Sequence, residues 1–532
     1  MIRIQEIRLA LDESEKSLYS RAAKILRIQP QAIEKLTIYK KSVDARKKSN
    51  VFFSYTVDVT TKDEDKIVAN CASTKVQLVT PKVYTLPENK RKSSLRPVIV
   101  GFGPAGMFAG LVLALSGLCP IILERGKAVS ERQKDVDRFW KEHILDEESN
   151  VQFGEGGAGT FSDGKLTTGI KSPYIRKILE ELYEAGAPEE ILYSSRPHIG
   201  TDKLATVVQN IRKKITSLGG EVRLECRLDK IISVNNFVHG VTYSHHGESF
   251  DLETDCVILA IGHSARDTVE MLYSSGVAIT QKPFSVGARI EHPQKLIDRA
   301  QYGRFAGHPA LGAADYKLSC HTLHERGAYT FCMCPGGTVV AAASEKGGVV
   351  VNGMSTWARD GENANSALLV GIEPQHFPSE HPLAGMYWQR EIEQKAFQLA
   401  GSSYKAPAQL VGDFLAGKAS AKLGSVRPTC PTGVTLTDLR ECLPAPVTKT
   451  MQSAIVQMDE KLKGFALYDA VLTAPETRSS SPVRITRDDF LQCSIRGVYP
   501  CGEGAGYAGG IVSAANDGIR CAHAVLDDEH NF

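Results

Sequence analysis

Long apolar runs, an export signal and a regular cysteine framework are all missing from this sequence. No stretch of roughly eighteen consecutive apolar residues occurs, so we expect no transmembrane helix. The first residues, MIRIQEIRLALDESEKS, contain no apolar segment before a small-residue cleavage site, so we expect no secretory signal. The twelve cysteines are scattered, which predicts reduced, mostly buried thiols in a cytoplasmic protein.

Positive charge is concentrated at the beginning of the chain. The 532 residues suffice for two to four domains, and 42% hydrophobic residues are typical of a globular protein. Residues 1–96 contain 20 Lys/Arg and 11 Asp/Glu, whereas the whole chain carries a net charge of only +2. The favoured interpretation is a solvated basic hairpin and linker. The alternative is a patch for nucleic acid or another polyanion.

The basic segment reads as a small α/β module at 1–93. Apolar and polar residues alternate over 2–10, as in a strand, and a helix pattern follows. IEKLTIYKKSVDARKKSNVFFSYTVDV then predicts two strands around a basic turn. The polar segment TLPENKRKSSLRP, at 85–97, reads as a linker.

A glycine-rich turn stands between a predicted strand at 98–100 and a predicted helix. It comprises Gly101, Phe102, Gly103, Pro104, Ala105 and Gly106. In the dinucleotide fingerprint the first glycine makes the tight turn, the second lets the backbone approach a pyrophosphate, and the third lets helix and strand pack closely. Glu124, at the end of the next predicted strand, would accept hydrogen bonds from a ribose. The pattern predicts dinucleotide binding, and Arg125 after the acid favours FAD over NAD.

A second glycine-rich stretch, VYPCGEGAGYAGGI at 498–511, precedes the last predicted helix. It resembles the return segment of glutathione-reductase superfamily flavoproteins, in which a strand, a glycine-rich turn and a helix close on the flavin. The resemblance implies that Gly502 and Glu503 form the turn, with Glu503 where the superfamily usually has Asp. It also implies that Gly509, Gly510 and Ile511 open the helix beneath the isoalloxazine. The positive end of such a helix stabilises an anionic reduced flavin.

Two further segments resemble the same superfamily. DCVILAIG at 255–262 is similar to its strand ending in A-T-G, which implies that Ala260 and Gly262 contact the cofactor, although Ile261 replaces the threonine. Leu228 lies on the strand that meets the adenine in that superfamily.

The stretch NVQFGEGGAGTFSDGKLTT at 150–168 and the segment FCMCPGG at 331–337 look like a narrower group. Together with the C-terminal glycine loop they resemble bacterial proteins called FAD-dependent, or NAD(FAD)-utilizing, dehydrogenases. The resemblance spans residues 97–532. It implies FAD binding and an oxidoreductase, but no particular substrate.

That resemblance places the first of these loops along the flavin ribityl chain and ring. The loop residues concerned are Gly159, Thr160, Phe161, Ser162 and Asp163. Lys165 would then lie near flavin N5 as a catalytic candidate, the alternative being a lysine on a phosphate or in a loop salt bridge. Arg132 would reach the pyrophosphate, the alternative being a solvated helix face.

Cysteines and histidines are grouped in the middle of the chain. Cys320, His321 and His324 precede Cys332 and Cys334. Their spacing is not that of a standard zinc site, so we predict no metal. Buried thiols on a strand are the favoured interpretation. The alternative is a redox cysteine facing the flavin, with Cys334 as the catalytic candidate because a Pro-Gly-Gly turn follows it.

The chain also lacks the marks of a disulfide reductase of the superfamily. Neither C-x-x-C nor C-x4-C occurs near the first glycine turn, and no second GxGxxG with flanking strand and helix is present. A reduced nicotinamide, NADH or NADPH, would therefore bind transiently without a Rossmann domain of its own.

We predict an α/β architecture with three parts. A Rossmann-type, glutathione-reductase-like FAD domain at 97–280 is completed by 485–532, an α+β substrate domain is inserted at 281–484, and the small module precedes both. The predicted function is an FAD-dependent oxidoreductase that moves a hydride to or from flavin N5 with a small-molecule substrate. The alternatives are a flavoprotein docked to RNA through the basic module and a non-catalytic FAD-binding redox sensor.

Overall fold

The chain opens with a four-stranded antiparallel sheet packed against helices. The structure is a computed structural model that describes residues 1–71, 73–81, 83–321 and 327–528. The first elements are β1 (Ile2–Ala10), α1 (Ser17–Leu26), β2 (Ile33–Asp44), β3 (Phe52–Thr61), α2 (Glu64–Ala69) and β4 (Val76–Leu78). Their strand order is β2-β3-β1-β4. The alternating buried side chains of β1 form a core with α1, which confirms the strand and helix predicted there.

This sheet is attached to the rest of the protein through β2. The backbone N–H of Lys41 donates to the carbonyl of Tyr193 at 2.7 Å. The ammonium of Lys41 is paired with Glu15 at 2.6 Å, so part of the positive charge of the module is neutralised internally.

The predicted linker at 85–97 follows the surface without regular secondary structure. Its Arg91 side chain is nevertheless buried and paired with Asp255. The linker is therefore a fixed connection in this structure.

The remaining elements are a mixture of strands and helices. In chain order they are β5 (Val98–Val100), α3 (Pro104–Leu115), β6 (Ile121–Leu123), α4 (Val129–Glu142), α5 (Ile175–Glu184), α6 (Thr201–Ser217), β7 (Glu221–Arg223), β8 (Cys226–Val234), β9 (Phe237–His245), β10 (Glu248–Glu253), β11 (Val257–Leu259), α7 (Arg266–Ser274), β12 (Ile279–Gln281), β13 (Phe284–Pro293), α8 (Gln294–Tyr302), β14 (Ser319–His321), β15 (Gly327–Cys334), β16 (Thr338–Ala341), β17 (Val351–Met354), β18 (Asn363–Ile372), α9 (Ala384–Leu399), β19 (Ala406–Leu410), α10 (Val411–Leu415), β20 (Val434–Leu436), α11 (Ala445–Lys461), β21 (Val471–Glu476), β22 (Val483–Ile485), β23 (Val498–Pro500) and α12 (Ile511–Asp527).

Five short parallel strands form a sheet in the order β23-β11-β5-β6-β7. The chain runs from β5 outward through β6 and β7, then crosses to β11 and finally to β23. This is the order 3-2-1-4-5 of doubly wound nucleotide-binding sheets. The point where the order reverses lies beside β5, and ligands bind at the carboxyl ends of strands at such a point.

A second, larger sheet occupies the middle of the chain. Its seven strands lie in the order β14-β15-β18-β13-β21-β19-β20, and apolar side chains of α9 and α11 complete its core. The two-stranded pair β12 and β22 stands where the chain enters and leaves this region. Among the described residues, no helix combines the length and the apolar character needed to cross a bilayer.

Candidate functional site

A cavity of about 1030 Å³ opens at the carboxyl ends of β5 and β11, between the parallel sheet and the larger sheet. Most residues singled out in the sequence line it: Gly101, Gly103, Pro104, Ala105, Glu124, Arg125, Gly159, Ser162, Lys165, Leu228, Ala260, Gly262, Glu503, Gly509, Gly510 and Ile511. The others are not among the lining residues: Gly106, Arg132, Thr160, Phe161, Asp163, Gly502 and Cys334. Segments that are far apart in the chain therefore meet at one site.

The first glycine turn is built as its pattern predicts. Gly101 has a φ of +100° and makes the tight turn after β5. A Cβ on Gly106 would lie 1.9 Å from the carbonyl oxygen of Gly101, so this glycine permits close packing. A Cβ on Gly103 would meet nothing nearer than the Cα of Gly157, at 3.8 Å. Gly103 thus leaves open space at the N-terminus of α3, where an anion is favoured.

Glu124 joins three backbone segments beneath the cavity. Its carboxylate accepts hydrogen bonds from the backbone N–H groups of Phe102 at 2.8 Å, Gly126 at 2.9 Å and Gly154 at 2.9 Å. A carboxylate has about four lone-pair directions, so roughly one is left for a ligand hydroxyl. The predicted ribose acceptor therefore also has a structural role that the motif does not reveal.

The second glycine turn brings another helix end to the same cavity. Cβ atoms placed on Gly509 and Gly510 would meet no atom within 4 Å, and Ile511 begins α12 beside this open space. Gly502 lies behind the wall, where its N–H donates to Asp517 at 2.8 Å. The N-termini of α3 and α12 therefore both face the cavity.

The two helices converge because glycine lets them touch. A Cβ on Gly518 of α12 would lie 2.1 Å from the carbonyl oxygen of Ala105 of α3. A larger residue at this position would separate the two helix ends.

Arg132 is not placed for the predicted pyrophosphate contact. Its side chain is fully buried on α4. Its guanidinium donates to the carbonyl oxygens of Asn150, Val151, Gly154, Glu155 and Gly157. Burial lowers the pKa of Arg132 to about 10, so it stays charged at neutral pH. Arg132 holds the glycine loop in shape from behind, and sequence periodicity could not show that the loop folds over it.

Three predicted loop residues also lie behind the cavity wall. Thr160, Phe161 and Asp163 are buried. Asp163 accepts hydrogen bonds from Arg359 at 2.9 and 2.6 Å, and Arg359 itself lines the cavity. Lys165 does line the cavity, with its ammonium 3.9 Å from Asp163. Asp163 therefore orients a cation that the sequence did not single out.

The cysteine of FCMCPGG that lines the cavity is Cys332, which corrects the choice of Cys334. Cys334 is fully buried and absent from the wall, whereas Cys332 is half-buried and lines it. The reason is a bulge in β15, where Cys332 has a φ of +43°. One extra residue in a strand turns the following side chains to the opposite face.

Two titratable groups face each other near the second turn. Burial raises the pKa of Glu503 to about 7, the cation of Lys282 opposing and the Cys332 sulfur adding to the shift. Nδ1 of His263 lies 4.0 Å from Glu503. Burial, reinforced by the guanidinium of Arg478, lowers the pKa of His263 to about 4, so this imidazole is neutral at pH 7.

Several lining residues escaped the sequence reasoning. They include His263, Arg359, Glu476 and Arg478. His263 follows directly after the A-I-G strand end, so its position in the sequence could have identified it as a lining residue. The other three come from the middle region, whose mixed strand pattern did not show which side chains return to the glycine turns.

The cysteines and histidines that are grouped in the middle of the sequence do not form a metal site among the described residues. His324 lies outside them. Within the described part of the chain, the residues with metal-type ligand atoms within 4.8 Å of one another are Cys501, Asp517 and Cys521. Asp517 is already paired with Arg487 at 2.8 Å, and that cation neutralises the carboxylate.

Sequence comparisons link the chain to flavin proteins. Residues 283–479 match the family model described as "FAD-dependent protein, C-terminal domain-like", and residues 1–60 match a domain of unknown function, DUF8436. An uncharacterised protein of Clostridium beijerinckii is 47% identical over 529 residues, which cover 99% of this chain and 98% of that protein. The chain belongs to the same family as this protein.

Solved structures show a more distant likeness. A flavin-dependent brominase is 13% identical, with 81% of this chain and 78% of that chain covered and a TM-score of 0.38. A geranylgeranyl bacteriochlorophyll reductase-like protein of Thermoplasma acidophilum is 11% identical, with 81% and 78% covered and a TM-score of 0.36. The reactions that these names describe belong to those proteins.

Proposed function

We propose that this protein is an FAD-dependent oxidoreductase of the glutathione-reductase-like superfamily that acts on a small molecule. In this proposal residues 97–280 and 485–532 form the FAD domain, residues 281–484 form an inserted substrate domain, and residues 1–93 form a separate module. The observation that carries it is the meeting of two glycine turns and two helix N-termini, those of α3 and α12, at one cavity.

The residues present fit FAD. The open positions beside Gly103, Gly509 and Gly510 leave room where the backbone would lie closest to the cofactor. The helix end at Gly103 would hold the pyrophosphate, because its free N–H groups favour an anion. Glu124 retains one accepting direction for a ribose hydroxyl.

Bound FAD would supply two-electron redox chemistry. The chain's own residues would set the charge around it. Lys165 and the N-terminus of α12 provide positive charge at the cavity wall, which favours an anionic reduced form. Glu503, with a pKa of about 7, can hold or release a proton in the working pH range.

The substrate would occupy the part of the cavity that the larger sheet contributes. Thr330, Phe331 and Met333 of β15 line that part, together with Asn352 and Tyr316. These side chains form a mixed apolar and polar surface, as is typical of small-molecule sites.

NADH or NADPH is the proposed electron donor. It would bind transiently and without a domain of its own, since no second nucleotide fingerprint is present in the sequence. A cytoplasmic location is proposed because all twelve cysteines are free thiols, which a reducing compartment preserves.

The test is the absorption spectrum of the purified protein, followed anaerobically after NADH or NADPH is added. We expect bound flavin with a band at about 450 nm that the reductant bleaches. A colourless protein that takes up no FAD would overturn the proposal. A yellow protein that dithionite reduces only poorly would favour the redox-sensor alternative.

A matched pair of glycine variants makes the test specific to the site. Gly103→Ala places a methyl group in the open space at the start of α3, and we expect FAD affinity to fall by roughly tenfold or more, equivalent to about 1.4 kcal/mol. The methyl group of Gly371→Ala in β18 meets no atom within 4 Å and lies away from the cavity, so this variant should bind FAD like the parent protein. Equal affinity of the two variants would place the cofactor elsewhere.

A further inference from the structure

We propose that Cys332 and Cys334 form a thiol–disulfide exchange centre on the cavity wall, with a small disulfide as the substrate. The proposal rests on the proposed function only for the electrons that reopen the centre. The exchange reaction itself depends on the two thiols and on the charged groups around them.

The bulge in β15 gives the two cysteines different roles. In the pairing with β18, Phe331 is opposite Ala367, but Cys334 rather than Met333 is opposite Asn365. The extra residue puts Cys332 in a left-handed conformation with φ +43°, which costs energy for a residue other than glycine. Bulges of this kind re-aim side chains next to active sites. Cys332 therefore faces the cavity, and Cys334 stays behind it.

The two thiols remain close enough to interact. The Cys334 thiol donates to the carbonyl oxygen of Cys332 at 3.2 Å, and its proximity lowers the pKa of Cys332. A buried thiol beside an accessible one is the arrangement that lets the second resolve a mixed disulfide formed on the first.

Two cations approach Cys332, and each has a carboxylate beside it. Arg289 is paired with Glu476 at 2.8 Å, and Lys165 lies 3.9 Å from Asp163. Glu503 also interacts with the Cys332 sulfur. Arg289 is fully buried and donates from Nη1 to the carbonyl oxygen of Cys332 at 2.8 Å, and Lys165 lines the same cavity.

The neighbouring Cys334 thiol lowers the pKa of Cys332 below its ordinary value; Lys165 and Arg289 add to this effect, and burial and Asp163 oppose it. The lowered pKa increases the fraction of thiolate at neutral pH, and the thiolate is the nucleophile.

Other buried cysteines of the chain show the opposite behaviour. Burial raises the pKa of Cys430 to about 11 and that of Cys256 to about 12. A raised pKa keeps both thiols protonated at neutral pH, so we expect them to be unreactive. The lowered pKa is thus a property of the Cys332 position.

The exchange proceeds in two balanced steps. The Cys332 thiolate attacks one sulfur of the substrate, a new S–S bond forms, and the substrate's S–S bond breaks to release one thiolate. The Cys334 sulfur then attacks the Cys332 sulfur, and its proton leaves with the second substrate half as a thiol. The resulting Cys332–Cys334 disulfide is reopened by two electrons and one proton from the reduced flavin of the proposed function.

The test uses full-length reduced protein and dithiobis(nitrobenzoate) as the disulfide probe. The other two half-exposed thiols, Cys71 and Cys119, are removed by Cys71→Ser and Cys119→Ser so that background release is small. We expect a fast release of about two nitrothiolate equivalents per chain and a Cys332–Cys334 disulfide in the peptide mass spectrum. The rate should rise with pH and level off below the ordinary cysteine pKa of 9.0, because the pKa of Cys332 is lowered.

Single variants separate the two roles. Cys332→Ser should abolish the fast phase, and Cys334→Ser should release about one equivalent and keep a mixed disulfide on Cys332. Cys334→Ala serves the same purpose if the serine variant does not fold. A parent protein without the fast phase, or a Cys334 variant that still releases two equivalents, would overturn the proposal.

The flavin content, read separately, distinguishes the two hypotheses. A protein that binds reducible FAD but shows no fast phase would overturn the exchange centre and leave the proposed function standing. A fast phase in a protein that takes up no FAD would keep the exchange centre and overturn the proposed cofactor.

Discussion

Oε1 of Glu393 lies 2.8 Å from Nη2 of Arg266, and this buried pair joins α9 to α7. Arg478 approaches the same carboxylate at 2.7 Å. Burial opposes ionisation here, but the two guanidinium groups hold the pKa of Glu393 below its ordinary value. A buried charge network of Arg266, Glu393 and Arg478 therefore lies next to the cavity, which Arg478 lines.

Removal of this carboxylate should destabilise the folded protein. We expect Glu393→Gln to lower the free energy of unfolding by about 3 kcal/mol at pH 7, because two buried guanidinium groups lose their buried counter-ion and retain the partly exposed Glu345. Urea denaturation measures the change. Glu391→Gln on the same helix breaks only an exposed pair with Lys395 and should cost less than about 1 kcal/mol.

The loss of stability caused by Glu393→Gln should become smaller as the pH falls. Because the pKa of Glu393 is lowered by folding, its contribution is present above the ordinary value of 4.5 and is lost as the pH falls. The stability difference between parent and variant should accordingly shrink below pH 4.5. A constant difference across that range would show that the carboxylate is not ionised in the folded protein.

Glu503 should produce the opposite pH dependence. Burial raises its pKa from 4.5 to about 7, so the folded protein favours the protonated form. Its contribution is complete below pH 4.5 and is lost as the pH rises through 7. We expect the free energy of unfolding of the FAD-free parent, relative to that of Glu503→Gln, to fall by on the order of 1–3 kcal/mol over this pH range. The lower value allows for the partial exposure of the side chain, which weakens the effect. Parallel stability curves for the two proteins would contradict the assignment.

Glu124 should affect both stability and cofactor binding. Glu124→Gln keeps one acceptor oxygen and replaces the other by an NH2 group, so either the N–H of Phe102 or those of Gly126 and Gly154 lose their acceptor. We expect a loss of about 1–3 kcal/mol in the free energy of unfolding and weaker FAD binding. Glu131→Gln on α4 is the control, since the Glu131 carboxylate is exposed and pairs with the exposed Lys134 away from the cavity.

Arg132 should stabilise the glycine loop and should not neutralise the charge of a phosphate. Arg132→Met leaves buried carbonyl groups of residues 150–157 without donors, and we expect a loss of about 3 kcal/mol together with rapid proteolysis of this loop. Arg138→Met removes an exposed guanidinium of α4 and should change neither. An Arg132→Met protein with an intact loop and only weakened FAD binding would restore the pyrophosphate contact expected from the sequence.

The local parts of the site were predictable from the sequence. Gly101 and Gly106 are required by a tight turn and a close helix–strand contact that lie within a few residues of them. The strand before that turn and α3 after it are confirmed, as is α12 after the second turn. Turn chemistry and periodicity act over short distances, so the order of residues is enough to show them.

The long-range parts were not predictable in this way. Arg132 looks like a residue of a solvated helix face until the loop at 150–157 folds over it. Asp163 was expected to lie along the flavin, but Arg359, almost two hundred residues further along the chain, holds it behind the wall. Such contacts depend on which segments meet in space, and no local pattern encodes them.

The amino-acid sequence by itself determined that this chain makes two glycine turns with helices behind them and carries the motifs of a flavin protein. Tertiary structure alone decided which side chains share the cavity. One extra residue in β15 turns Cys332 toward the cavity and leaves Cys334 buried, because side chains alternate across a strand and a bulge reverses their facing. The pairing registers of distant strands therefore decide which side chains line the cavity, and the glycine turns decide where the cavity lies.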